Sequence, residues 1–282
     1  MDGTIPLVTD AVDREVLQSA PNLKVVANFG VGVDHIDVRA ASDLGIVVTN
    51  TPGVLTETTA DLAWSLLMAA ARRIVEADRF MRSRQFTAWG PKMLLGHDVY
   101  GKTLGIIGLG RIGQAIARRA RGFSMKVIFT DAGRVKDDVI CELGVTRVSL
   151  EELLRTSDYI TLHVPLIPQT THMLNDGAFA MMKPSSVVIN TSRGPVIDEK
   201  ALVRALRNGR IAGAALDVFE HEPQVEPELL EMNNVVLAPH IGSGSYETRL
   251  KMSEMAADNL LSVLKGQRPP NMVNPDVWDR RR

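Results

Sequence analysis

The chain has 282 residues, 45% hydrophobic and 23% charged, with 32 Lys and Arg against 33 Asp and Glu. That balance leaves no electrostatic footprint for nucleic acid or an anionic membrane, and the length suits one large or two ordinary domains with a real core. The longest apolar stretch, Leu62 to Ala71, is interrupted by Ser65 and too short to cross a bilayer, the first residues lack the pattern of a signal peptide, and a single cysteine, Cys141, with no metal-ligand cluster around it, fits a reducing cytoplasm.

In chain order, Ile5 to Thr9 reads as a strand, Asp13 to Ala20 as a short helix, Lys24 to Phe29 as a strand, Asp37 to Leu44 as a helix and Ile46 to Thr49 as a third strand. This opening is an α/β unit with parallel connections. Ligands of such sheets sit beyond the carboxyl ends of strands, so the turn Val31-Gly32-Val33-Asp34 is placed to offer the N–H groups of Val31 and Gly32 to an anion. Thr51-Pro52-Gly53 then reads as a hinge, and a long helix is expected from about Thr58 to Arg84. Its middle, Leu62 to Ala71, is apolar nearly all round, which leaves two readings: a subunit interface, or a helix lodged between two layers of one chain. Gln85 to Val99, with Trp89, Gly90 and Pro91, reads as an irregular excursion.

The stretch from Lys102 to Asp131 organises the remainder. Thr103 to Ile107 reads as a buried strand, Gly108-Leu109-Gly110-Arg111-Ile112-Gly113 as a tight turn into a helix ending near Gly122, and Lys126 to Thr130 as a second strand ending on Asp131. A Gly-x-Gly-x-x-Gly in that context, with an acidic residue about 20 positions on, is the dinucleotide fingerprint. Gly108 permits the turn, Gly110 lets backbone approach a pyrophosphate, and Gly113 lets the helix lie close to the strand, so unpaired N–H groups face the phosphates. Asp131 suits a ribose 2′-hydroxyl and repels a 2′-phosphate, which favours NAD; Arg134 and Lys136 are cations close enough in sequence to offset that repulsion, so NADP use stays open.

The alternation continues. Glu151 to Arg155 reads as a helix behind the capping box at Ser149, Tyr159 to Val164 as a strand, Asn175 to Met182 as a helix and Ser186 to Asn190 as a strand. Asp198 caps a helix over Glu199 to Arg207, Ile211 to Leu216 and Asn234 to Ala238 are strands, and Tyr246 to Lys265 is a final helix that would return the chain to the first lobe. The class is α/β: a doubly wound parallel sheet, with residues 53–243 as the dinucleotide domain and residues 1–52 with 244–282 as a smaller domain. Arg280-Arg281-Arg282 reads as a solvated tail.

Three polar residues stand at carboxyl ends of predicted strands: Arg193, Glu222 and His240. Singly each has an ordinary loop explanation, but together they match a chemistry. Hydride transfer to a 2-keto acid builds negative charge on the carbonyl oxygen, so a site needs a proton donor there and a cation for the substrate. Histidine is the residue type suited to donate near neutrality, a carboxylate beside it favours its protonated form, and an arginine fork grips carboxylate and carbonyl together. In this reading the N–H groups of Val31 and Gly32 hold the other carboxylate oxygen.

Val31 to Asp34, Gly108 to Gly113, Asn190-Thr191-Ser192-Arg193-Gly194-Pro195-Val196-Ile197-Asp198-Glu199, Asp217 to Pro223 and Pro239-His240-Ile241-Gly242 resemble the D-isomer-specific 2-hydroxyacid dehydrogenases, over nearly the whole chain. Trp89-Gly90-Pro91 with Leu95 to Lys102 resembles the glyoxylate/hydroxypyruvate reductase branch. The resemblance implies a Rossmann coenzyme domain and a flavodoxin-like substrate domain. It implies that Arg193 binds substrate, that Glu222 and His240 form the proton-donating pair, and that Arg111, Ile112, Thr191, Ser192, Asp217, His240 and Gly242 help hold the cofactor. It also implies a cytoplasmic homodimer built through the coenzyme domain, acting on a small 2-keto or 2-hydroxy acid, with no metal. Relatives usually carry a further strand–helix–strand before the segment matching Ile5 to Thr9, so the smaller domain is expected to lack its first strands and expose a sheet edge. The rival outside enzymes is a dinucleotide-sensing binding module of the corepressor type that shares this fold.

Overall fold

A computed structural model describes residues 1–281, so the last of the three terminal arginines lies outside the described residues. The chain forms two compact units, Met1–Leu55 with Ser243–Arg282, and Thr56–Gly242.

In the first unit, β1 (Gly3–Thr4), β2 (Val25–Ala27) and β3 (Val47–Thr49) make a parallel sheet in the order β1-β2-β3, and the short helices α1 (Arg14–Ser19) and α2 (Val38–Asp43) connect them. Each helix starts where an aspartate accepts the amide three residues on: Asp13 from Val16 and Asp37 from Ala40. The strand expected over Ile5 to Thr9 is absent. Pro6 has no N–H with which to extend the ladder, and Asp10 closes a turn by accepting the Leu7 amide at 2.8 Å.

The second unit opens with α3 (Thr56–Ala71) and α4 (Ile74–Arg82), two helices where the sequence suggested one. Helix α3 stops because the Ala71 carbonyl is taken by the His97 amide at 2.8 Å, and Arg73 turns left-handed with φ 53°, anchored by Glu76 and the Leu95 carbonyl. The contacts with His97 and Leu95 come from more than 20 residues away, so no local pattern announces the break. The apolar middle of α3 packs within its own unit: Ala60, Ala63, Leu66, Leu67 and Ala71 are buried, and Leu62, Trp64, Met68 and Ala70 pack against the same core. Of the two readings of Leu62 to Ala71, the helix inside one chain accounts for its composition.

There follow β4 (Thr103–Ile107), α5 (Arg111–Arg121), β5 (Lys126–Thr130), α6 (Asp137–Leu143), β6 (Thr146–Arg147), α7 (Leu150–Thr156), β7 (Tyr159–Leu162), α8 (Asp176–Met181), β8 (Val187–Asn190), α9 (Glu199–Arg207), β9 (Gly213–Leu216), α10 (Pro227–Glu231) and β10 (Val235–Leu237). The seven strands are parallel, in the order β10-β9-β8-β7-β4-β5-β6. Strands β7, β8 and β9 are buried along their whole length, as a sheet covered by helices on both faces requires. The order reverses between β4 and β7, the switch point at which such sheets open a crevice beyond their carboxyl ends.

Helix α11 (Tyr246–Leu264) begins at the cap Ser245 and returns the chain to the first unit, packing on β1, β2 and β3. Buried Asn274 then stitches the C-terminal segment to β3: its Oδ1 accepts the Val48 amide at 2.8 Å and its Nδ2 donates to the Ile46 carbonyl and Ser42 Oγ, both at 3.0 Å. Asn274→Ala strips partners from two buried backbone groups and is expected to destabilise the first unit by about 2 kcal/mol. Urea unfolding would measure this, and a loss below about 0.5 kcal/mol would mean that water replaces those partners.

Candidate active site

The dinucleotide turn connects β4 to α5. Gly108 sits at φ 94° with the His163 carbonyl 2.6 Å from where a Cβ would stand, and a Cβ on Gly113 would come 2.2 Å from the Gly108 carbonyl oxygen, so turn, strand and helix pack backbone on backbone. A Cβ on Gly110 would meet nothing within 4 Å, so space lies open in front of the first helical amides, with Arg111 and Ile112 in the first turn of α5. Asp131, ending β5, accepts the Leu109 amide through Oδ2 and the Gly133 amide through Oδ1, both at 2.7 Å. The carboxylate therefore braces the turn as well as facing the site.

Arg147, on the edge strand β6, was given no part by the sequence reading. Its guanidinium donates to the carbonyls of Asp131 at 2.9 Å and Gly133 at 3.0 Å and lies over the Phe129 ring, 5.1 Å from its centre. It fastens the segment that carries Asp131. Behind Gly108, His163 is half-buried, bonded to Thr161 at 2.9 Å, and loss of solvent around the ring pushes its pKa down to about 3, so it is a neutral floor to the turn.

The second cluster gathers at the carboxyl ends of β8, β9 and β10. Asn190 ends β8 and shapes the next loop: its Oδ1 accepts from the Ser192 amide and hydroxyl, and its Nδ2 donates to the Arg193 carbonyl. Asp217 follows β9, 1% exposed, its Oδ1 accepting the Ile241 amide at 2.7 Å. Among the described residues, its buried Oδ2 and the buried Thr191 hydroxyl have no hydrogen-bond partner. Burial pushes the Asp217 pKa up to about 6; the amides of Ile241 and Gly242 and the charge of His240 restrain it, and the charge of Glu222 adds to the rise.

His240, just past β10, is left-handed at φ 54°, its N–H donating to the Asp217 carbonyl at 2.8 Å. Its Nδ1 lies 2.8 Å from Glu222 Oε2, and Glu222 Oε1 accepts the Phe219 amide at 2.9 Å. Burial raises the Glu222 carboxyl, but its bonds to His240 and the Phe219 amide, with the charges of His240 and Arg193, outweigh that and hold it below its ordinary value. An ionised Glu222 can only accept, so Nδ1 carries the hydrogen and Nε2 is the ring nitrogen not engaged by Glu222. Arg193, Glu222, His240 and Asp217 thus share one electrostatic neighbourhood, with Thr191 and Ser192 in the loop that holds Arg193 and Gly242 against Asp217.

A bound dinucleotide fits this second unit. Two buried polar atoms, Asp217 Oδ2 and Thr191 Oγ1, await partners, and the space before Gly110 admits a phosphate. A cavity of about 360 Å³ at the opposite, amino-terminal ends of β8 and β9, lined by Arg73, Glu76, His97 and Asn234 among others, plays no part in this constellation.

Residues 64–242 match the family model described as the NAD binding domain of D-isomer specific 2-hydroxyacid dehydrogenases. The chain belongs to that family. It is accordingly an NAD(P)-dependent D-2-hydroxyacid dehydrogenase, an oxidoreductase. A glyoxylate reductase of Korarchaeum cryptofilum is 55% identical over 98% of this chain and 83% of its own length. Among solved structures, a glyoxylate reductase from Paecilomyes thermophila superposes with a TM-score of 0.88 at 39% identity, covering 97% of this chain and 84% of the other. An NADPH-dependent glyoxylate/hydroxypyruvate reductase from Sinorhizobium meliloti, in complex with NADP and malonate, does so with 0.88 at 37% identity over 97% and 84%.

In the first unit of this dehydrogenase, the turn after β2 is built on buried Asn28. Its Nδ2 donates to the carbonyls of Gly30 and Gly32 and its Oδ1 meets His35, while Asn50 Nδ2 donates to the Val31 carbonyl. Among the described residues, the Val31 and Gly32 amides donate to no acceptor. Asn28 is a further residue that sequence reasoning missed, and an Asn closing a strand before a glycine turn was the available signal.

Arg147→Ala releases the segment that carries Asp131 and is expected to raise the dissociation constant for NADH about threefold to tenfold with kcat within about twofold. Fluorescence titration with NADH beside steady-state kinetics would check this, and unchanged binding would show that the segment holds without the arginine.

Proposed function

We propose that this dehydrogenase reduces a small 2-keto acid of the glyoxylate or hydroxypyruvate type to the D-2-hydroxy acid, with NADH as the preferred donor. One observation carries the reading: an imidazole and a carboxylate 2.8 Å apart, with the charge of Arg193 acting on that carboxylate and the unpartnered Asp217 oxygen in the same neighbourhood. The names of the relatives support the substrate class.

When bound, the dinucleotide supplies the hydride that adds to the carbonyl carbon. Gly108, Gly110, Arg111, Ile112 and Gly113 hold its phosphates, Asp131 its ribose, and Thr191, Ser192, Asp217 and Gly242 its nicotinamide end. Arg193 binds the substrate carboxylate and carbonyl oxygen through its fork. As charge builds on the carbonyl oxygen, the His240 Nε2 proton moves to it, and Glu222 stabilises the imidazole through Nδ1. Asp131 supports NADH over NADPH by the charge it would set against a 2′-phosphate. We also propose a cytoplasmic homodimer, its contact made by the second unit, where Ile74, Met81, Phe86, Trp89, Leu95 and Tyr100 are exposed apolar side chains on α4 and the segment that follows.

NADH and NADPH oxidation with glyoxylate, hydroxypyruvate and 2-ketogluconate tests the proposal. The expected outcome is NADH turnover that His240→Gln lowers at least about a thousandfold while NADH still binds. NADH binding with no turnover of any of the three would favour a dinucleotide-sensing module instead. Asp131→Ala is expected to narrow the NADH preference, and a preference for NADPH in the unmodified chain would remove Asp131 from that role.

The raised pKa of Asp217 adds a pH dependence. An amide donor from the nicotinamide end pairs with the carboxylate, which is present above a pKa of about 6 and lost below it, so NADH affinity should fall about tenfold per pH unit below that point. Calorimetric titration should show proton uptake from the buffer reversed in sign, that is, proton release on binding near pH 6, and Asp217→Asn should flatten the dependence. A flat profile in the unmodified chain would remove this pairing.

A further inference from the structure

Glu199 is a buried carboxylate, 5% exposed, that the reaction itself does not require. It opens α9, a few residues after Arg193. Its Oε1 accepts the Glu220 amide at 2.7 Å, while its own amide donates to Glu220 Oε2 at 3.2 Å, so the two glutamates exchange side chain for backbone. The Glu226 amide also acts on the Glu199 carboxylate and favours its charged form. The segment carrying Glu222 is therefore fastened to this side chain by the exchange at Glu220, with the Glu226 amide facing the same carboxylate from beyond Glu222. The exposed rim adds His172, whose Nε2 lies 2.6 Å from Glu220 Oε1 and whose N–H donates to the Pro195 carbonyl at 2.8 Å. Between the tethers, a Cβ on Gly194 would come 1.8 Å from the Phe219 carbonyl oxygen, so the loop of Arg193 lies directly on the loop of Glu222.

We propose that Glu199 is the positioning residue of the proton-donating pair: by exchanging side chain for backbone with Glu220 it fixes where Glu222 meets His240, and His172 steadies Glu220 from the surface. The inference rests on the reading of Glu222 and His240 given above. Burying a carboxylate among Glu220 and Glu226 is unfavourable, and burial accordingly raises its pKa, with the two amides working against that rise. An apolar residue would fill the space more cheaply, but would leave the Glu220 amide without its acceptor and the Glu222 segment without an anchor. Glutamine keeps the shape, yet it removes the charge those amides face and replaces one acceptor oxygen with an NH2 donor.

The test compares unmodified chain, Glu199→Gln and His172→Ala in NADH-dependent reduction of glyoxylate between about pH 5 and 9, with NADH dissociation constants and melting temperatures alongside. In Glu199→Gln, kcat should fall about tenfold or more, NADH affinity should stay within about twofold, and the alkaline fall-off should move about half a pH unit lower as Glu222 supports the imidazolium less. His172→Ala, at an exposed rim position, should shift the profile in the same direction by less. If Glu199→Gln does not fold, Glu220→Gln with His172→Ala carries the same comparison. A lower melting temperature with an unmoved pH profile, or a loss confined to NADH affinity, would overturn the proposal. Titration of the His240 imidazole by NMR separates this from the function itself. An unmodified chain without turnover would count against the proposed reaction, whereas a His240 titration identical in unmodified chain and Glu199→Gln would overturn the positioning role whatever the activity.

Discussion

The hydrogen bond from the His240 amide to the Asp217 carbonyl, 2.8 Å long, holds a side-chain-bearing residue in the left-handed region just where β10 ends. That conformation costs about 1–2 kcal/mol for a residue with a Cβ. It is maintained from two sides, by this backbone bond and by the Nδ1 contact with Glu222. The strained turn aims Nδ1 back at Glu222 in the β9 loop. It also binds three ionisable groups into one system: the charge of His240 lowers both carboxyls, and Glu222 raises Asp217. A proton on His240 therefore favours the ionised form of Asp217, so the charge states of imidazole and carboxyl are coupled.

Distance from the reacting atoms is no guide to how firmly a group is held. Asn190, Asn28 and Glu199 have no contact with substrate in the proposed reaction, yet each bonds the backbone of a loop that carries a proposed site residue. This is how loops at the mouth of a parallel sheet gain the rigidity of the strands beneath them: a buried polar side chain replaces the ladder bonds that the loop lacks. The Gly194 contact on Phe219 shows why a side chain is excluded between two of these loops.

What the sequence made legible was local or periodic. The strand–turn–helix over Thr103 to Arg121 and the caps at Ser149 and Asp198 each lie within a few residues of the group they satisfy, and all are found. The break at Arg73 was hidden, because its cause is a loop near His97. The strand expected at Ile5 to Thr9 failed on Pro6, a local signal that outweighed apolar alternation. Short edge elements such as β6, two residues long, carry too little pattern to register, and with β6 went Arg147. The triad of Arg193, Glu222 and His240 was legible as motif, while the Glu199–Glu220 exchange spans 21 residues and exists only once β8, β9 and α9 are packed.

Asp131 shows how one carboxylate links cofactor choice to the shape of the turn. Its two oxygens already accept amides, one inside the glycine-rich turn and one in the segment after β5, so its charge is partly balanced by backbone donors before any ribose arrives. A ribose hydroxyl can still share an oxygen, because each has a second lone pair, whereas a phosphate would bring negative charge against a carboxylate that cannot swing away without abandoning the Leu109 amide. Accepting a 2′-phosphate would thus take more than a nearby cation: the Leu109 amide would need a new acceptor as well. Arg147 is bonded to the carbonyls of the same segment, so its charge is fixed close to the turn, but its geometry is committed to holding Asp131 in place. On the preference for NADH proposed above, discrimination between the two dinucleotides would reside in the stiffness of the Asp131–Gly133 segment as much as in the sign of one charge.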